Sequence, residues 1–99
     1  MYYFFIPYEN LSMSEEFELY ARNQFGKQLA ALRKEVGITQ EELAGRTGVD
    51  PTYISAIERG TRAPGFNMVT KLVKGLKIGH VDLYTSIANW ETYSKNHKK

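Results

Sequence analysis

Residues 39–60, TQEELAGRTGVDPTYISAIERG, constrain the fold of this chain more than any other stretch. Thr39 followed three residues later by Glu42 is a reciprocal capping pair, which starts a helix at Gln40. Arg46-Thr47-Gly48-Val49 reads as the turn that ends it, with Gly48 where a positive φ is needed and Val49 plugging the corner. Asp50 is an N-cap residue, and Pro51 takes the first position of the next helix, where its missing N–H costs nothing. Leu43 and Ala44 of the one helix, and Ile54 and Ile57 of the other, face inward. Gly60 ends the second helix. The stretch thus reads as two short helices joined by one tight, glycine-bearing turn.

The flanking sequence continues that pattern. Phe25, Leu29, Leu32 and Val36 recur at spacings of four, three and four, a helical apolar stripe that Gly37 stops. Ser12 with Glu15 can open a helix upstream, and Phe17 and Ala21 are in phase with Phe25. The segment is therefore a separate helix or an extension of the first. Residues 2–8 read as a short strand or an ordered arm. After a loop at Thr61–Gly65, broken by Pro64, the pattern predicts a helix over 67–76, burying Met68 or Val69, Leu72, Val73 and Leu76. Gly79 breaks again. A fifth helix is expected over 81–93, with Val81, Tyr84, Ile87, Ala88 and Trp90 as candidate buried residues. The tail SKNHKK is polar. The expected organisation is an all-α, five-helix domain over 25–93, an N-terminal extension over 1–24 and a polar tail over 94–99. Met13 is an alternative internal start.

Ninety-nine residues suffice for one domain with one core. No apolar run approaches the roughly 20 residues of a membrane helix. The opening MYYFFIPY lacks the basic region and cleavage site of a signal peptide, so the expected location is the cytoplasm. There is no cysteine, which excludes disulfides and thiolate chemistry. The net charge of +2 is small, but its distribution is uneven. Residues 1–24 carry Glu9, Glu15, Glu16 and Glu18 against Arg22 alone. Residues 50–77 carry Arg59, Arg62, Lys71, Lys74 and Lys77 against Asp50 and Glu58. A basic segment of this kind suits a phosphate-facing surface or an ordinary solvated one.

The run from Phe25 to Ile78, FGKQLAALRKEVGITQEELAGRTGVDPTYISAIERGTRAPGFNMVTKLVKGLKI, resembles the helix-turn-helix domain of Cro/C1-type (xenobiotic-response-element) regulators. DPTYISAIERGTR with a basic fourth helix is similar, within that group, to the controller proteins of restriction–modification systems. The resemblance implies a lambda-repressor-like fold, with the helix after the turn entering the major groove of double-stranded DNA. It implies a salt bridge between Arg33 and Glu58, two charges at semi-buried places, that sets the angle of this recognition helix. It also implies that Gln40 donates to a phosphate and braces the start of the recognition helix, whose N-terminal N–H groups add an anion site. With Ile54 and Ile57 inward, Thr52, Tyr53, Ser55, Ala56 and Arg59 are left outside. Thr52 and Ala56 can meet base edges, and Tyr53 and Ser55 the rim. Pro51 stands where relatives often carry a long polar side chain, which removes one reader and shifts weight to Arg62 and to DNA shape. Arg59 is a phosphate contact or a simple helix-end charge.

One such domain offers little base-contacting surface, so a homodimer on a palindromic operator is expected. The fifth helix, with Leu83, Tyr84, Ile87 and Trp90, is the expected dimer surface, unless these residues only close the monomer's own core. The alternative is an antitoxin-type module that neutralises a partner protein through the 1–24 arm or the fifth helix and autoregulates. No catalytic constellation, cofactor motif or metal-spaced cluster is present, and no small-molecule ligand is implied. His80 and His97 have no nucleophile near them in sequence.

Overall fold

The computed structural model describes residues 12–84. Among these residues the chain is all-helical, with five α-helices and no strand. Helix α1 spans Met13–Val36, α2 Gln40–Thr47, α3 Pro51–Glu58, α4 Phe66–Leu76 and α5 His80–Tyr84. None of them is long and apolar enough to cross a membrane.

The upstream segment proves to be an extension of α1 rather than a helix of its own. Ser12 Oγ accepts from the Glu15 N–H (3.2 Å), and Glu15 Oε1 accepts from the Ser12 N–H (3.0 Å). From this capping box α1 runs unbroken through residues 24 and 25 to Gly37, whose φ of +86° closes it. Phe25 and Leu29 are buried, but the expected stripe does not continue through Val36, which is 42% exposed. The buried register steps by four from Leu29 to Arg33, and Ile38 from beyond Gly37 joins the core where Val36 does not.

Helix α2 begins with the Thr39–Glu42 capping box and includes Arg46 and Thr47, so the turn is shorter than the sequence suggests. The N–H groups of Gly48 and Val49 both donate to the Ala44 carbonyl, which holds the last turn closed through Thr47. Gly48 takes the left-handed conformation (φ +72°) and Val49 is buried in the corner. Helix α4 buries Val69 rather than Met68, together with Leu72, Val73 and Leu76.

The facing of α5 differs from expectation. Val81 is 77% and Tyr84 43% exposed, whereas Leu83 is fully buried. Val81 and Leu83 are two residues apart and so lie on opposite sides of a helix. Contact with α1 and α4 selects Leu83 for the core that also holds Phe25, Leu29, Leu72 and Leu76. Leu83 therefore has no surface left for a second chain. Ile87, Ala88 and Trp90 lie outside the described residues.

Candidate nucleic-acid interface

Helix α3 is set by both of its ends. At its start the Asp50 carboxylate accepts from the Thr52 N–H (2.7 Å), while the N–H groups of Tyr53 and Ile54 donate to the Asp50 carbonyl. Pro51 has no N–H to offer. The expected anion site at this N-terminus is thus occupied by the protein's own carboxylate, whose charge also opposes a phosphate there.

At its other end, Glu58 gathers three donors from two other helices. Arg33 Nε donates to Oε2 (2.7 Å), and Arg33 Nη2 donates to Oε1 (3.0 Å). Gln40 Nε2 also donates to Oε1 (2.9 Å). The remaining arm of the guanidinium, Nη1, donates to the Ile38 carbonyl (2.8 Å). The two charged side chains are only 10% and 7% exposed. The Glu58 hydrogen bonds are the main reason that the Arg33 pKa is raised, overriding a burial that would lower it. Gln40 thus braces the end of α3 rather than its start. A Gln amide carries two N–H donors, so one remains for another acceptor.

Helix α1 abuts the same end of α3 with its backbone. A Cβ at Gly26 would collide with the carbonyl of Ile57 and lie 2.7 Å from that of Glu58. Arg22 Nε donates to the Gly60 carbonyl (3.3 Å). Nothing in local sequence pattern marks Gly26 or Arg22, because their partners lie more than thirty residues away.

Between these anchored ends α3 turns Ile54 and Ile57 into the core, both with zero exposure. Thr52 and Arg59 are exposed, and Tyr53, Ser55 and Ala56 are half-buried. Arg59 Nη1 donates to Ser55 Oγ (2.6 Å), joining two of these residues along one helical turn. Beyond the helix, the Thr61 N–H and Oγ1 both bond the Ala56 carbonyl, folding the following loop back on α3. This return places the Arg62 guanidinium over the Tyr53 ring, 4.7 Å from its centroid. The structure so brings Tyr53 and Arg62 together, which their spacing of nine residues does not announce. Such stacking orients a long cation without consuming its hydrogen-bond donors. No group of His, Asp or Glu among the described residues is arranged to hold a metal ion.

The family model described as "Helix-turn-helix" matches residues 29–83, more than half of the chain. An uncharacterised HTH-type transcriptional regulator of Sinorhizobium fredii, y4dJ, is 41% identical over 64 residues, covering 65% of this chain and 83% of the relative. Control protein C.BamHI of Bacillus amyloliquefaciens is 37% identical over 70 residues, 68% of this chain and 86% of that protein. Among solved structures, the restriction–modification controller protein C.AhdI of Aeromonas hydrophila superposes with a TM-score of 0.61 at 35% identity. That match covers 63% of this chain and 94% of C.AhdI. The controller C.Esp1396I, solved as a tetramer with its natural 35 base-pair operator, gives 0.63 at 30% identity over 70% of this chain and 91% of that one. The chain belongs to the helix-turn-helix family and is a Cro/C1-type regulator similar to restriction–modification controllers.

Proposed function

We propose that this helix-turn-helix regulator binds double-stranded DNA sequence-specifically as a homodimer on a palindromic operator, and controls a restriction–modification operon that includes its own gene. The observation that carries the reading is the outer side of α3, where exposed Thr52 sits in the first turn and Arg62 stacks on Tyr53 beside it. Thr52 and Ala56 contact base edges. Arg62, with its donors left available, takes a guanine edge or enters the minor groove. Tyr53, Ser55 and Arg59 contact the rim, and the second amide hydrogen of Gln40 meets a phosphate. The similarity to C.BamHI and to operator-bound C.Esp1396I supports the operator and operon parts of the reading.

Dimerisation runs through the outer side of α5, where Tyr84 is exposed, and through Ile87 and Trp90. Leu83 takes no part. An enzymatic role is not proposed.

The test is fluorescence anisotropy with the duplex immediately upstream of the gene against a scrambled duplex, at ~0.15 M salt. Specific binding exceeds random binding by about 10³-fold or more in proteins of this class. Thr52→Ala and Arg62→Ala are expected to lower binding to the upstream duplex far more than to the scrambled one, and Gln40→Ala to lower both. Equal losses on both duplexes for Thr52→Ala and Arg62→Ala refute the base-reading roles. A neighbouring restriction endonuclease or methyltransferase gene is the expected genomic context.

A further inference from the structure

A second charged surface lies outside α3 and the loop that follows it. The last turn of α2 and the C-terminal half of α4 enclose an open concavity of about 600 Å³, lined by Arg46, Thr47, Lys71, Lys74, Gly75 and Lys77. Every charged residue in that lining is a cation. None of these cations is in an ion pair among the described residues. Two features bring them together. Gly75 lets α4 approach α2, because a Cβ there would lie 2.7 Å from Thr47 Cγ2 and 3.2 Å from Leu43 Cδ1. Arg46 is then fixed across the gap, with Nη1 donating to the Gly75 carbonyl (3.1 Å).

Cations are ordinary at helix C-termini, and two C-termini meet here. Each terminus supplies about half an elementary negative charge, so the two together offset about one of the four positive charges. About three remain uncompensated on one concave wall. Lys77 adds a second argument. It is the only described residue other than glycine with a positive φ (58°), a conformation that Gly37, Gly48 and Gly60 take elsewhere in the chain. A lysine there is less stable than a glycine would be. What it adds in return is a further ammonium at the rim.

We propose that this concavity binds a soluble oligophosphate anion, two or three linked phosphates such as pyrophosphate, tripolyphosphate or the tail of a nucleoside polyphosphate. Four cations spread over two helices suit an extended chain of charge, whereas a single orthophosphate would engage only some of them. The volume lies in the range of small-ligand sites. No lining residue belongs to α3 or to the loop carrying Arg62, so the site is separate from the base-reading surface. The phosphates of a DNA backbone have the same chemistry and are the second source to be distinguished.

The test uses the full chain and sodium tripolyphosphate at constant ionic strength, read by calorimetric titration and thermal denaturation. Expected are saturable binding of one ligand per chain and a melting temperature that rises with ligand concentration. Lys71→Gln/Lys74→Gln, at two exposed positions, should weaken binding by at least about tenfold. Lys77→Gly should raise the ligand-free melting temperature yet weaken binding, so that its effect is not mistaken for misfolding. Lys34→Gln, at another exposed lysine in a helix's last turn, should change neither. The salt dependence of binding to a random duplex should be the same for the wild type and for Lys71→Gln/Lys74→Gln. Absence of saturable tripolyphosphate binding, or equal weakening by Lys34→Gln, overturns the proposal. A duplex salt slope reduced by about 0.9 per lost lysine, without tripolyphosphate binding, overturns it in favour of the DNA backbone.

Discussion

Replacing Glu58 by glutamine tests the central joint of this fold with almost no change of shape. The wild-type carboxylate accepts two hydrogen bonds from Arg33 and one from Gln40, all of 2.7–3.0 Å. Glutamine keeps one acceptor oxygen, puts an NH₂ group against at least one donor, and leaves the Arg33 guanidinium, 10% exposed, without its ion-pair partner and with only the more remote charge of Glu41. Breaking a buried pair by removing one partner costs about 3–5 kcal/mol. Retention of the Arg33–Ile38 hydrogen bond, and of the one acceptor oxygen that the new amide keeps, places the expected loss near the lower end, about 3 kcal/mol. For a domain of this size that is a fall in melting temperature of roughly 12–24 °C. Circular dichroism at a fixed chain concentration reads it, since the proposed dimerisation would make the midpoint concentration-dependent. The control is Arg33→Met/Glu58→Leu, which removes both charges. It should cost no more than Glu58→Gln alone, because neither side chain is left stranded. A loss below about 1 kcal/mol for Glu58→Gln, or losses of Arg33→Met and Glu58→Leu singly that add up to that of the pair, would show that the joint contributes no coupling.

Other outcomes follow from the same geometry. Gly26→Ala pushes a methyl against the Ile57 and Glu58 carbonyls, which are backbone and cannot swing aside, so urea unfolding should show a loss of about 1–3 kcal/mol at unchanged m-value. The Glu15 carboxyl is held below its ordinary pKa of 4.5, first by the Ser12 N–H and then by the Ser12 hydroxyl. Its stabilisation of the α1 start is therefore present above that ordinary value and lost as pH falls through the lower folded value. The protection of the first-turn amides of α1, exchange measured relative to the intrinsic rate at each pH, should fall over that acidic range in the wild type and stay constant in Glu15→Gln. Ile87→Ala/Trp90→Ala should shift sedimentation from dimer towards monomer, and an unchanged profile refutes the α5 interface.

Much of the fold was legible because its signals are local. Ser12 with Glu15, Thr39 with Glu42, and Asp50 with Pro51 each act within one helical turn, so their spacing alone locates a helix start. Gly37 and Gly48 mark helix ends through a backbone conformation that other residues resist. Where two apolar residues compete for one core position, pattern is silent. Met68 and Val69 are such a pair; for Val81 and Leu83 the pattern misled, placing Val81 in the core and Leu83 on a dimer surface. In each case the choice is made by helices distant in sequence, and the structure selects Val69 and Leu83. Val36 is the same lesson in reverse. A stripe that looks continuous is cut when Arg33 takes the buried face in order to reach Glu58.

The site divides along the same line. The outward set on α3 follows from the inward phase of Ile54 and Ile57, and is readable from the sequence. What holds that set at its angle is not. Glu58 receives Arg33 from α1 and Gln40 from α2. Gly26 admits α1 against the Ile57 and Glu58 carbonyls, and Arg22 bonds the Gly60 carbonyl just beyond the helix. All of these anchors grip the C-terminal end of α3. The N-terminal end, where Thr52 and Tyr53 lie, is held by the local Asp50 cap and the Val49 plug. A small rotation at the anchored end is carried by a rigid helix to its first turn. Substitutions at Gly26 or Glu58 should therefore alter operator preference without touching any residue proposed to meet a base, whereas Asp50→Ala should chiefly loosen the first turn in place. The arm of α1 before residue 29, which precedes the matched family segment, thus supplies part of the seat of α3.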